Sequence, residues 1–181
     1  MKAKELDVSQ VRDLFDYDAA VGVLIWRRRD RAAFVCDGTF KMWNTRYAGM
    51  AAGCAGRLGY VLVRFGGAMY PAHRLIWAYV HGEWPASELD HVNGNPNDNR
   101  ISNLRECSHA ENHQNRGVGS NNASGLTGVG WHKLRQKWRA DIKVNGKSRA
   151  LGLFDTKEQA HEAYLAAKQI DHSFQPVPRA A

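Results

Sequence analysis

Apolar and polar positions change period several times along the chain, and each change predicts an element. Residues 8–15 space their apolar side chains as one face of a short helix. Residues 22–26 read as a strand, followed by a polar stretch rich in arginine (Arg27, Arg28, Arg29, Arg31). The run GRLGYVLVRF at 56–65 predicts another strand, and Gly66-Gly67 supplies a hairpin turn into residues 68–71. From about Ala72, Leu75, Ile76, Tyr79 and Val80 share a helical face that His81-Gly82 terminates, with Pro85 beyond. Residues 88–116 are dense in Asn, Asp and His, and SNNAS at 120–124 reads as a polar linker with no apolar anchor. Residues 138–144 then alternate strictly, and Asn145-Gly146 predicts a type I′ hairpin. Thr156 with Gln159 forms a capping box for a helix that puts Ala160, Ala163, Tyr164 and Ala167 on one side.

Composition narrows the class. The chain has 181 residues, 44% of them hydrophobic, which suits folded domains. Its net charge of +7 favours polyanions, nucleic acid above all. No run reaches the length of a membrane span, and the first ten residues lack the apolar core of a secretion signal, so a cytoplasmic protein is expected. Cys36, Cys54 and Cys107 are odd in number and widely spaced, which predicts plain thiols and no structural zinc.

The chemistry concentrates in LDHVNGNPNDNRISNLRECSHAENHQN. Asp90-His91 sets a carboxylate beside an imidazole, and a turn-rich loop at 93–99 follows. Ile101 and Leu104 give apolar anchors around Ser102-Asn103, while Ser108 with Glu111 caps a helix carrying Asn112 in its first turns. Phosphodiester hydrolysis needs an activated water and neutralisation of phosphate charge. A carboxylate (Asp90) and an amide oxygen (Asn112) are donors for a hard cation such as Mg²⁺, which keeps several waters and takes few protein ligands. His91, on the other side of the strand from Asp90, has the right chemistry for a general base near neutral pH. His109 and His113 flank Asn112 as solvated helix histidines or phosphate contacts. His73 reads as a packing or hydrogen-bonding residue, and Arg74 as a candidate DNA contact.

This segment resembles the HNH nuclease motif. Asp90-His91 matches its first element, Asn103 in Ser-Asn-Leu the middle asparagine and Asn112 the third, at intervals of 12 residues (91 to 103) and 9 residues (103 to 112). The flanks HRLIWAYVHGEWP and NDNRISNLRE resemble the phage and mobile-intron branch of homing endonucleases. The resemblance implies Asp90 and Asn112 as metal ligands, His91 as base, and Asn103 fixing the hairpin loop and the orientation of His91. It implies one divalent cation per active site, and asparagine at the third position favours Mg²⁺ or Mn²⁺ over Zn²⁺.

Downstream, residues 120–155 hold seven Lys/Arg against two acids. On the alternating strand, Arg139, Asp141 and Lys143 face one way and Trp138, Ala140, Ile142 and Val144 the other. The stretch from Gly128-Val129 through Lys137-Trp138, Leu151-Gly152 and Phe154 to Ala163-Tyr164 resembles the ethylene-response-factor type of DNA-binding domain. By that resemblance a three-stranded sheet enters the major groove, with His132, Lys133, Arg135, Arg139, Lys143 and Arg149 as contacts. Gly130 stands where plant relatives carry a base-reading arginine.

The expected fold is α+β. A small mixed sheet/helix region occupies 1–80 and supports a ββα-metal nuclease core at 81–118. A linker spans 119–124, a three-stranded antiparallel sheet on one helix spans 125–175, and a tail spans 176–181. The expected function is a metal-dependent DNA endonuclease of the homing type, nicking double-stranded DNA as a monomer (a dimer is the alternative) in a bacterial or phage-infected cell. The alternative function is a non-catalytic DNA-binding regulator that keeps the nuclease fold.

Overall fold

A computed structural model describes residues 6–56, 59–114, 118 and 122–172. The expected linker residues 119–121, residues 115–117, the last residues of the expected C-terminal domain (173–175) and the tail lie outside that set. The architecture is α+β, with several small sheets, and the chain divides into two compact units, Met1–Glu106 and Cys107–Ala181. The boundaries read from sequence at 80/81 and 118/119 both fall inside these units.

The first unit opens with helix α1 (Val8–Leu14). Asp7 caps it by accepting the Ser9 amide at 2.8 Å, and Gln10 reaches back to the Asp7 amide at 3.2 Å, a reciprocal capping box. The chain turns extended at Phe15 and enters β1 (Phe15–Asp18), which pairs antiparallel with β2 (Val23–Trp26) so that Phe15 lies opposite Trp26. The β1 strand was not expected from the sequence, because its pattern FDYD is too short and too acidic to signal a strand alone.

Helix α2 (Asp37–Tyr47) was likewise not anticipated, since Cys36 provides no side-chain cap. Its signal is the spacing of Phe40, Trp43 and Tyr47, whose rings meet Phe34 and one another: Phe34–Phe40 at 5.8 Å and Trp43–Tyr47 at 5.4 Å. The arginine-rich stretch feeds this cluster. The Arg29 guanidinium lies 4.7 Å from the Phe34 ring centre, 5.1 Å from Trp43 and 5.2 Å from Phe65. Asn44 bonds the Arg29 backbone both ways, accepting its N–H at 2.9 Å and donating to its carbonyl at 3.0 Å.

Strands β3 (Cys54–Ala55), β4 (Val61–Phe65) and β5 (Ala68–Pro71) form an antiparallel sheet in that order. Gly66 and Gly67, both at positive φ (57° and 81°), close the β4–β5 hairpin as the sequence predicts. Helix α3 (Ala72–His81) lays Leu75 and Ile76, both fully buried, into a core with Val11, Phe15, Leu24, Val63 and Leu104. Burial of each such large side chain contributes about 1.5–3 kcal/mol. Left-handed Gly82 ends the helix, its N–H bonding the Ala78 carbonyl at 3.0 Å. Strand β6 (Glu88–His91) then pairs with β7 (Leu104–Cys107).

The second unit begins with the short helix α4 (His109–Gln114). Its sheet has the order β8 (Val129–His132), β9 (Lys137–Val144), β10 (Lys147–Phe154), all antiparallel. Asn145 and Gly146 take positive φ (49° and 80°) in the β9–β10 turn. Helix α5 (Lys157–Asp171) carries the expected Thr156/Gln159 capping box and packs Ala160, Tyr164 and Ala167 against Ala140 and Ile142. The described part of the expected linker is built into this unit. Ser124 is buried, its hydroxyl 3.0 Å from the Leu126 and Val129 carbonyls, and Asn122 accepts the Ser124 amide at 2.9 Å. Local hydrogen bonding, not apolar contact, anchors that segment.

Candidate active site

Strand β6 brings Asp90 and His91 to adjacent positions, and both are buried, 7% and 5% exposed. The Asp90 carboxylate receives the guanidinium of Arg105 from β7, with Nε at 3.1 Å and Nη2 at 3.0 Å, both on Oδ2. Arg105 thus compensates a carboxylate taken out of water, a role that the sequence reading did not assign.

His91 is held by Asn99. Its Nε2 lies 2.9 Å from Asn99 Oδ1, and Asn99 is only 2% exposed. The Asn99 amide nitrogen donates to the Asn97 carbonyl at 3.5 Å, which turns Oδ1 toward the imidazole. An acceptor on Nε2 places the ring proton there and makes Nδ1 the basic nitrogen.

Asn103 sits at the end of a single 3₁₀ turn, Ile101–Asn103, and is buried. Its Oδ1 accepts the Asn93 amide at 3.0 Å, and its Nδ2 donates to the Asp98 carbonyl at 2.7 Å and to Asn93 Oδ1 at 3.0 Å. These bonds join residues 93, 98 and 103 across the loop. Asn99 is the loop residue whose side chain meets His91 Nε2. Asn99 was legible only as one more loop asparagine, because the eight residues separating it from His91 fold back through turns that no periodicity reports.

Two further side chains meet His91. His73 on α3 lies with its ring centre 5.2 Å away at a steep angle, and Tyr60 lies 5.9 Å from His91 and 5.5 Å from His73. Burial, with the charges of His91 and Arg74, pushes the His73 pKa from 6.5 down to about 4, so His73 is neutral near pH 7. Arg74 donates to the Ser87 carbonyl at 3.5 Å. In the loop, Asp98 receives Arg100 Nε at 2.7 Å and Nη2 at 2.5 Å, and those bonds hold its carboxyl down at about 2.

Asn112 belongs to the second unit, in α4. The expected Ser108/Glu111 capping box is present there, with the Ser108 amide 2.8 Å from Glu111 Oε2 and the Glu111 amide 3.3 Å from Ser108 Oγ. The side chain of His113 lies outside the described residues.

On the C-terminal sheet, cross-strand register sorts the candidate contacts by face. His132, Arg139 and Lys143 lie on the face away from α5, opposite Lys137, Gly130 or Leu153, and Ser148 respectively. Arg139 bonds Asp141 at 2.6 Å. Lys133 and Arg135 are exposed in the β8–β9 turn beside Leu134, which is 92% exposed. Arg149 differs. It lies opposite Ile142 on the helix-facing side, and its guanidinium pairs with Asp171 of α5. The unbroken register from the Asn145-Gly146 turn sets that face, and the bulge between Ala150 and Gly152 shifts only the residues after it.

Comparison with known proteins matches the HNH endonuclease family over residues 70–114, which spans β5 to α4 and includes every residue of the loop just described. The chain is also 30% identical over 103 residues to Protein 3.8 of Escherichia phage T7, covering 56% of this chain and 85% of that protein. The chain belongs to the family of that phage protein and carries an HNH endonuclease domain at residues 70–114. No solved structure matches it at a significant level. HNH endonucleases take DNA as substrate and generally work with a divalent metal, and the donors on β6 fit such an ion. Asp90 offers a hard oxygen ligand, while among the described residues no group of three or more His, Cys, Asp or Glu side chains is placed to hold a metal ion. An ion held by one or two oxygen donors keeps the waters that hydrolysis uses. Also among the described residues, no helix is long and apolar enough to cross a membrane.

Proposed function

We propose that the protein is a metal-dependent endonuclease that hydrolyses phosphodiester bonds in double-stranded DNA, with His91 as general base. The observation that carries this reading is the 2.9 Å contact between His91 Nε2 and Asn99 Oδ1, which favours the Nε2–H form and so supports Nδ1 as the nitrogen that removes the proton. By the motif, Asp90 and Asn112 would hold one Mg²⁺ or Mn²⁺ ion. When bound, the ion neutralises charge on the phosphate and the leaving oxygen. His91 Nδ1 takes the proton of the attacking water, the task of a general base. Asn103 and Asn99 keep the loop and the imidazole in place throughout.

The C-terminal module acts as the reader. Its sheet face carrying His132, Arg139 and Lys143, with Lys133 and Arg135 in the adjoining turn, suits an ethylene-response-factor-like approach to the major groove. Arg74 is a further phosphate contact. Arg149, paired on the helix side, contributes less. Functionally, residues 81–118 cut and 125–175 place the cut. A homing role and nicking by a monomer follow from the branch resembled and from one active site per chain.

Incubation of the purified protein with supercoiled plasmid tests the reading. Nicked product is expected with Mg²⁺ or Mn²⁺. If neither they nor Ni²⁺ give nicked or linear DNA, the protein is a DNA-binding regulator on a nuclease scaffold.

A further inference from the structure

We propose that the N-terminal β1–β2 hairpin positions the general base, with Tyr17 and Gly22 holding the Asn99 backbone so that its side chain fixes the tautomer and direction of His91. The proposal rests on the reading of His91 as base. Tyr17 and Asn99 are 82 residues apart in sequence, and the Tyr17 hydroxyl makes two bonds to the catalytic loop. It accepts the Ile101 N–H at 2.9 Å and donates to the Asn99 carbonyl at 3.3 Å, bridging the peptide groups on either side of Arg100. A partly buried phenol that both donates and accepts is a fixed strut, and burial keeps it protonated.

Gly22 supplies the second contact. The β1–β2 turn is closed by the Gly22 amide on the Asp18 carbonyl at 2.9 Å, and Gly22 sits at φ +73°. A Cβ there would lie 2.3 Å from the Arg100 nitrogen and 2.6 Å from the Asn99 carbonyl carbon. The turn therefore lies backbone against backbone on the Asn99–Arg100 peptide, and only glycine permits that approach. From the other side, Asn103 Nδ2 holds the Asp98 carbonyl at 2.7 Å. Residue 99 is thus clamped between Asn103 and the hairpin, and its Oδ1 reaches His91 Nε2 from a fixed backbone. Tyr17, Gly22 and Asn99 are positioning residues, and none of them touches the reacting atoms.

Three measurements on the full chain separate positioning from bulk stability: the His91 tautomer by long-range ¹H–¹⁵N NMR, single-turnover cleavage of plasmid with Mn²⁺, and DNA affinity. The wild type should show the Nε2–H form. Tyr17→Phe and Gly22→Ala should lose cleavage rate about 10- to 100-fold with unchanged DNA affinity, and should shift the imidazole toward a mixture of tautomers. Val21→Ser, on the exposed side of the same turn, should leave all three readouts alone. If the hairpin variants fold poorly, Asn99→Asp keeps the acceptor and the tautomer, whereas Asn99→Leu keeps the shape and should lose both tautomer and rate. A wild-type tautomer and rate in Tyr17→Phe, or in Asn99→Leu, overturns the proposal. His91→Ala distinguishes the two levels: if it cleaves normally, the assignment of the base falls, whereas an inactive His91→Ala with a fully active Tyr17→Phe removes only the clamp.

Discussion

His73 stands on α3 with its ring against His91 and Tyr60, and its Nδ1 is buried with no hydrogen-bond partner among the described residues. Burial first, then the charges of His91 and Arg74, lower its pKa from 6.5 to about 4. The unfolded chain therefore binds a proton at this residue before the folded one does. Stability from neutral His73 is full above pH 6.5 and is lost as pH falls toward 4. Integrating that window gives a loss of about 2 kcal/mol by pH 5 and about 3 kcal/mol by pH 4. His73→Phe keeps a ring against Tyr60 and His91 and removes the titration. Urea unfolding followed by tryptophan fluorescence between pH 7.5 and 4 measures the difference. The wild type should lose stability through this window more steeply than His73→Phe, by the amounts given. Asp98 does not confuse the result, because Arg100 holds its carboxyl at about 2, and its contribution is lost only as pH falls below 3.8. Parallel pH profiles for the two proteins would refute the argument.

His91→Ala should reduce cleavage at least about 100-fold while leaving DNA affinity within a few-fold, because a base acts only on attack; an equal loss of binding in a filter or anisotropy assay would contradict that role. Replacing Arg139 and Lys143 together with alanine should weaken DNA binding and flatten the slope of log K against log salt by roughly 1.8, at about 0.9 per phosphate contact. An unchanged slope moves the reading surface off this sheet face. Arg105→Met removes the guanidinium from the Asp90 carboxylate and should destabilise the metal-free protein by about 2–3 kcal/mol, less than the roughly 3–5 kcal/mol of a fully buried pair because Arg105 is 26% exposed. Mn²⁺ should restore part of that loss in a thermal melt, and a melt insensitive to both changes would show that Arg105 is not the counter-ion.

What was legible in the sequence is what neighbours in the chain decide. The capping boxes Ser108/Glu111 and Thr156/Gln159, the turns Gly66-Gly67 and Asn145-Gly146, and the stop at Gly82 all use bonds or backbone angles within a few residues. Such signals survive without tertiary context. The alternation of residues 138–144 likewise sorted Arg139 and Lys143 from Ala140 and Ile142, because a strand's period is fixed by its own geometry. The HNH spacing set out Asp90, His91 and Asn103 for the same reason, since a short motif within one loop is a local object.

Tertiary structure decided the rest. Arg29 reads as one of several surface arginines, but the distant Phe65 and Trp43 make it the centre of an aromatic cage. Arg149 reads in the sequence as one more basic strand residue, and only the fold sets it opposite Ile142 with its guanidinium on Asp171. His73 acquires its low pKa only because α3 buries it beside His91. Asn99 meets the imidazole, and Tyr17 from 82 residues away meets Asn99. Burial, charge proximity and hydrogen bonds between remote segments depend on how the chain closes on itself. No local pattern encodes those distances. The sequence by itself determined which side chains the loop carries, and the closing of the fold decided which neighbours hold them.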